Sequence, residues 1–349
     1  MIFREYLKEK IQPNESLIEF GPLTRPLFSK QEKHNIYYAD VRSTKEIKEL
    51  YTSNDYLSKT GISVDIKSIV DIDYIITKTY KETFKGQKFD GAYLSHVIEH
   101  MPNIIEFFIE ISDILKDNGK LYIIYPDKRY CFDHFRNEVS FRDAYATYKY
   151  GTKENARLAF DFYYNVVDEN NPTFFWNNNN LTSIISNSSI KEAEKYYQKE
   201  LNYDNIDDVH LWPFSDIGFL KFIYEMQRAE LLSFDIEEFY PTMRNTQEFM
   251  IILKKNNNIN IEKTIKIIND NTTLINNLCT NLGKSQNSIS KDEIINKNYQ
   301  NEIKKQQEYI NKLEENSKDY QNEIKKQQEY INKLEKNSKD YQNEIKKHQ

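Results

Sequence analysis

Residues 89–136, FDGAYLSHVIEHMPNIIEFFIEISDILKDNGKLYIIYPDKRYCFDHFR, decide the fold. Asp90 to Ser95 reads as a strand whose end leads into a cluster holding His96, Glu99 and His100. Ile104, Ile105, Phe108, Ile111, Ile114 and Leu115 then recur at spacings of three and four, so a helix from about Ile104 to Leu115 buries one face. Asn118-Gly119 is a helix stop, and Leu121 to Tyr125 is a short apolar strand closed by Pro126. Strand–helix–strand units build parallel sheets, whose ligands sit beyond the carboxyl ends of the strands. Both polar clusters, SHVIEH and PDKRYCFDHFR, fall at such ends. The expectation is an open α/β sheet with its active site along that edge.

The chain before this stretch supplies the other half of the sheet. Ser16 to Phe20 is a strand followed at once by Gly21-Pro22-Leu23-Thr24-Arg25-Pro26. Ile36 to Ala39 is a second strand ending in Asp40, 21 residues after Glu19, and Ile69 to Ile76 is a third with Asp71 and Asp73 inside it. A strand, a glycine turn and an acid about 20 residues on is a layout that holds an adenosine ribose. The glycine lets backbone approach the ligand, and the carboxylate accepts the ribose hydroxyl protons. With only one glycine in the turn, a pyrophosphate cradle is not expected.

The ordered series IEFGPLTRPLF, YYADVRST, IVDIDYI, FDGAYLSHVIEHMPN and LKDNGKLYIIYPDKRYCFDHFR resembles class I S-adenosylmethionine-dependent methyltransferases. It is most similar to the bacterial group found with glycosyltransferases in surface-polysaccharide synthesis. The likeness runs through DDVHLWPFS to EFMIILKK, which looks like the final hairpin strand of that fold, and covers roughly residues 10–255. It implies a Rossmann-like doubly wound α/β sheet and S-adenosylmethionine as cofactor. It also implies that Glu19 and Gly21 line the amino-acid end of the cofactor and that Asp40 grips the ribose. Asp73 would lie near the adenine edge, with Asp71 able to serve instead, and Ser95 and His96 would close over the methionine part. The turn departs from the family's usual three-glycine pattern.

Residues 137–235 interrupt the series between the fifth strand and the closing strands, and an insertion of about 137–230 there would overhang the cleft as a helical lid. Methyl transfer to a hydroxyl requires removal of a proton, and histidine is the usual base near neutral pH. His210 and His134 are the candidates, with Asp127, Asp133 or Asp208 orienting the ring. Lys128, Arg129 and Arg136 could hold a phosphate or carboxylate, which suits a saccharide or sugar-nucleotide substrate. His100 reads as a structural hydrogen-bonding residue. A metal site from His96, Glu99 and His100 fits the spacing, but no third histidine or cysteine cluster supports it, and no metal is expected. The other class of reading is a catalytically silent methyltransferase-fold scaffold, and a sugar transferase using the same cleft is a further one.

Composition limits the partners. The 349 residues carry a net charge of −6 and form no basic stripe on the sheet-forming part, so nucleic acid is not an expected ligand. No apolar run is long enough to span a membrane, MIFREYLKEK lacks a signal-peptide core, and Cys131 and Cys279 do not read as a disulfide framework. A cytoplasmic protein is expected. Residues 256–298 read as an Asn- and Lys-rich linker. From 299 to 349 the chain repeats, with Tyr299, Tyr320 and Tyr341 spaced by 21, three heptads. Ile303, Ile310 and Ser317 on one seam position face Tyr299, Gln306 and Leu313 on the other, a coiled-coil pattern with a wet seam that predicts a homo-oligomer. A single solvated helix held by Glu–Lys pairs is the alternative.

Overall fold

The parallel strands predicted around residues 89–136 lie at the centre of one sheet. In the computed structural model, which describes residues 2–33, 35–53, 63–177, 189–202 and 209–284, seven strands pair in the order β3-β2-β1-β4-β5-β7-β6. They are β1 (Leu17–Phe20), β2 (Ile36–Asp40), β3 (Tyr74–Ile75), β4 (Phe89–Ser95), β5 (Leu115–Pro126), β6 (Phe234–Tyr240) and β7 (Glu248–Lys255). The first five run parallel, while β7 is antiparallel to both β5 and β6. The helices, in chain order, are α1 (Ile2–Lys10), α2 (Thr44–Thr52), α3 (Tyr80–Thr83), α4 (Ile104–Ile114), α5 (Phe141–Tyr150), α6 (Ala156–Asn165), α7 (Pro172–Asn177), α8 (Ile190–Asn202), α9 (Asp216–Arg228) and α10 (Ile261–Lys284).

Alternation along the strands sends side chains to two separate cores. Ala92, Leu94, Leu121, Ile123, Phe249 and Ile251 join one, together with the apolar faces of α4 and α9. Tyr93, Tyr122, Ile124, Met250 and Ile252 join the other, covered by Phe3 and Leu7 of α1. Covering both faces is what allows the central strands to read as near-continuous apolar runs. Removing a side chain such as Phe108, fully buried in the first core, would cost about 3–5 kcal/mol.

Local departures from expectation have local causes. Helix α4 starts where Asn103 accepts from the Glu106 backbone N–H at 3.2 Å, but it ends at Ile114. Leu115 already pairs with Phe89, and regular pairing resumes at Gly91–Lys120. Asn118, at φ +61°, therefore shapes a bulge inside β5 and does not stop the helix. The third strand is two residues long because Asp73 turns its carboxylate onto the Tyr38 backbone N–H at 2.9 Å, and Ile66–Ser68 is a 3₁₀ turn.

Helix α9 falls inside the range 137–230 expected to overhang the cleft, but it packs on the sheet. Phe219, Leu220, Phe222, Ile223 and Met226 of α9 are buried in the first core, so that helix belongs to the sheet's own layer. Before it, α6 and α8 pack with Tyr163 stacked on Tyr196 at 3.5 Å between ring centroids. Trp176 of α7 stacks on Tyr130 at 3.9 Å and donates to the Thr246 carbonyl at 2.8 Å. The linker is helical over Ile261–Lys284, and Ile267 and Ile268 pack on the first core. The chain divides into two units, Met1–Thr273 and Leu274–Gln349, and the heptad segment 299–349 lies outside the described residues. No helix among the described residues is long and apolar enough to cross a membrane.

Candidate active site

A cavity of about 560 Å³ opens at the carboxyl ends of the central strands, lined by Arg4, Glu5, Glu19, Phe20, Gly21, Pro22, Arg25, Ser95, His96, Ile124 and Glu248. Gly21 turns the chain out of β1 at φ +62°, where a Cβ would come within 3.1 Å of Val97 Cγ2. The position needs glycine for its backbone and for its clearance. Glu19 is buried and accepts twice from the Leu27 backbone N–H, at 2.8 and 3.0 Å. Burial pushes its carboxyl up to about 8, against the lowering effects of the Leu27 bond, Arg4 and Lys8. Arg4 reaches the cavity from α1 and donates to the Tyr93 hydroxyl at 3.0 Å.

His96 leaves β4 in the left-handed region at φ +54°, an uncommon conformation for a non-glycine residue that concentrates at functional sites. Its backbone N–H donates to the Ile124 carbonyl at 3.1 Å, which ties the turn to β5. Its Nε2 lies 3.1 Å from Glu248 Oε1 and its Nδ1 lies 3.7 Å from Glu99 Oε1. Burial opposes a charge on this ring, but the Glu248 hydrogen bond and the fields of Glu99 and Glu248 outweigh it, and the pKa is raised.

Behind His96 stands a second group of polar side chains. His210 Nδ1 lies 2.5 Å from Asp133 Oδ2, and Arg136 donates to Asp133 Oδ1 at 2.9 Å. Burial would raise the Asp133 carboxyl, yet the charges and hydrogen bonds of His210 and Arg136 hold it well below the usual carboxylate range. His210 Nε2 lies 3.9 Å from Glu99 Oε1. The two bonds that follow His210 anchor its loop: the Leu211 backbone N–H donates to the Glu99 carbonyl at 2.7 Å, and the Trp212 indole Nε1 donates to the Met101 carbonyl at 2.6 Å.

Of the two candidate bases, then, Asp133 orients His210. His134 Nδ1 faces the Arg129 carbonyl at 2.5 Å, its ring stacks on Phe175 at 4.9 Å, and burial lowers its pKa. Asp127 is committed elsewhere, to Arg129 at 2.9 Å and to the Thr242 hydroxyl at 2.6 Å; Asp208 lies outside the described residues. The basic side chains also have internal partners. Arg129 pairs with Asp127 and Asp216 at 2.5 and 2.6 Å, and Lys128 donates to the His134 carbonyl at 3.2 Å. Arg136 is 2 % exposed and bridges Asp133 and Asp161. That enclosure corrects the expectation that Arg136 meets a substrate anion: it holds the carboxylate that orients His210.

Ser95 lines the cavity. Asp40 ends the neighbouring strand β2, outside the cavity lining, and accepts from the Arg42 backbone N–H at 2.9 Å. Asp73 also lies outside it, with its carboxylate on Tyr38 N–H and on Lys30 Nζ at 2.5 Å. Sequence reasoning missed Arg4, Arg25 and Glu248. For Glu248 the signal was available: it opens EFMIILKK, and because β7 is antiparallel to β5, its first residue pairs with Pro126 and lands at the carboxyl edge. Arg4 had no local signal, since only the packing of α1 brings it there.

The chain matches a family model described as a methyltransferase domain over residues 3–184. No curated protein matches it. Among solved structures it is similar to the mitomycin 7-O-methyltransferase, at 10% identity over 73% of this chain and 53% of that one, with a TM-score of 0.33. It is also similar to a SAM-dependent methyltransferase from Methanosarcina mazei, at 9% identity over 72% of this chain and 97% of that one, TM-score 0.34. A third is coclaurine N-methyltransferase bound to N-methylheliamine and SAH, at 16% identity over 36% of this chain and 35% of that one, TM-score 0.22. The chain spans about half the length of the mitomycin enzyme. The family assignment rests on the domain match alone.

Proposed function

The chain belongs to the methyltransferase-domain family, and from that premise we propose that it transfers a methyl group from S-adenosylmethionine to a hydroxyl of a saccharide or sugar nucleotide. Its cofactor is S-adenosylmethionine. The cavity suits the amino-acid end of that molecule: Arg4 and Arg25 offer positive charge, Glu248 offers negative charge, Glu19 offers a carboxyl that a cation would ionise, and Gly21 and Ser95 line the wall between them. Asp40, at the end of the adjoining strand, is the residue for the ribose hydroxyls. When bound, the cofactor supplies a methyl carbon already activated by the sulfonium charge, so alignment with the nucleophile carries much of the rate.

The chain's own task is to hold the acceptor in line and to take its proton. The observation that carries this reading is the His210–Asp133 pair, joined to the cavity through Glu99 and His96 by contacts of 3.9 and 3.7 Å. With Asp133 accepting from Nδ1, Nε2 is the nitrogen left to receive a proton, and the carboxylate stabilises the imidazolium that results. The saccharide assignment draws on the sequence resemblance to glycan-associated methyltransferases.

Calorimetry with S-adenosylhomocysteine should register one ligand per chain, and Asp40→Ala should weaken it by about 1.5–3 kcal/mol, the scale of a hydrogen bond to a charged group. His210→Ala should leave that affinity intact and slow turnover on the true acceptor by roughly a hundredfold. A folded parent that binds neither S-adenosylmethionine nor S-adenosylhomocysteine overturns the proposal.

A further inference from the structure

Glu99 is 1 % exposed, and neither of its carboxylate oxygens has a hydrogen-bond partner among the described residues. A buried carboxylate left in that state costs several kcal/mol unless a proton, a water or a cation meets it. Around its Oε1 stand His100 Nε2 at 3.8 Å and His210 Nε2 at 3.9 Å. These separations exceed a hydrogen bond. The two rings meet edge to face, 4.7 Å between centroids.

The tautomer of His210 sharpens the point. Asp133 accepts from Nδ1–H at 2.5 Å, which leaves Nε2 as the nitrogen of His210 that faces Glu99. Nε2 and the Glu99 carboxylate face each other at 3.9 Å, too far apart for a hydrogen bond and open to a ligand between them. A carboxylate–histidine pair whose far nitrogen points into a ligand set is how metal-binding imidazoles are oriented. The bonds from the Leu211 backbone N–H to the Glu99 carbonyl and from the Trp212 indole to the Met101 carbonyl hold this arrangement in place without help from the ligand.

We propose that Glu99, His100 and His210 bind one divalent transition-metal ion, zinc in the first instance. Their ligand atoms lie within 4.8 Å of one another. Bonds of about 2.0–2.2 Å at a tetrahedral angle place two ligands about 3.4 Å apart, so each measured Glu99–His separation needs to close by only about 0.5 Å. Two imidazoles and one carboxylate are a borderline-soft donor set that favours zinc over magnesium. Three protein ligands leave a fourth position for water or for an oxygen of a bound molecule. The sequence pattern alone concealed the site, because His210 is more than a hundred residues from Glu99 and reaches it only in the fold.

Zinc and an acceptor proton would compete for the one lone pair on His210 Nε2, so a chain loaded with zinc would not use His210 as its base. The test uses no methyl donor, and its failure leaves the methyl-transfer reading standing. Zinc chloride titrated into the metal-stripped full chain should bind at one ion per chain with micromolar or tighter affinity. Cobalt(II) in its place should give the visible absorption of a low-symmetry nitrogen–oxygen site. Glu99→Gln and His100→Ala, each checked for folding by circular dichroism, should weaken zinc by about a hundredfold or more. His134→Ala, on a separate loop, should bind as the parent does. Parent affinity no tighter than millimolar, or zinc binding that both Glu99→Gln and His100→Ala leave unchanged, overturns the proposal.

Discussion

Replacing Glu19 by glutamine should make the folded chain more stable at alkaline pH. Glu19 is 2 % exposed, and burial pushes its pKa from the usual 4.5 up to about 8. The folded state therefore holds a proton that the unfolded state releases between those values. Stability from this group is fully present below about pH 4.5, declines as pH rises, and is lost above about 8. At about 1.4 kcal/mol per pH unit, the whole loss amounts to roughly 5 kcal/mol. Glutamine keeps an oxygen for the Leu27 N–H and has no charge to acquire. At about 2–4 °C per kcal/mol for a domain of this size, Glu19→Gln should melt on the order of 10 °C above the parent at pH 8.5. The two should melt together near pH 4.5. Thermal unfolding of both proteins across that range is the assay, and the difference between them cancels every other titrating group. Parallel curves would refute the account. The same proton couples to the cofactor: a cationic group entering the cavity favours ionised Glu19, so affinity should rise with pH up to about 8 in the parent and not in Glu19→Gln.

Asp133→Asn should cost about 3–5 kcal/mol at neutral pH, because it leaves Arg136 buried with only one carboxylate partner. Since the folded-state pKa of Asp133 is depressed, its contribution is present above about pH 4 and is lost as pH falls below that; urea unfolding at pH 7 and pH 3 should show the gap between parent and variant shrink. For the tail, the full chain should be larger per particle by light scattering than expected for a monomer, while a chain ending at Lys284 should not. Cutting at Lys255 would be a poorer comparison, because it would remove Ile267 and Ile268 from the first core. Equal association states in the two proteins would make the repeat a lone solvated helix.

The sequence by itself determined the sheet and its edge. Apolar strands at Leu17–Phe20, Ile36–Asp40 and Phe89–Ser95, a helix with an apolar face at three- and four-residue spacing, and polar clusters after each strand are local patterns. Backbone periodicity converts such patterns into position without knowledge of distant residues. It could also place Asp133 and His210 on loops at that edge. Tertiary structure alone decided that Asp133 orients His210 and not His134, that Arg136 is enclosed, that α9 belongs to the core, and that Arg4 enters the cavity. Each of these depends on contacts between residues far apart in the chain, and no local pattern records which of several nearby charges will be desolvated together. Glu99 illustrates the difference most clearly. In sequence it is one acid between two histidines four residues apart; in the fold, the loop carrying His210 closes over it, and the physical consequence is a buried carboxylate that requires a partner.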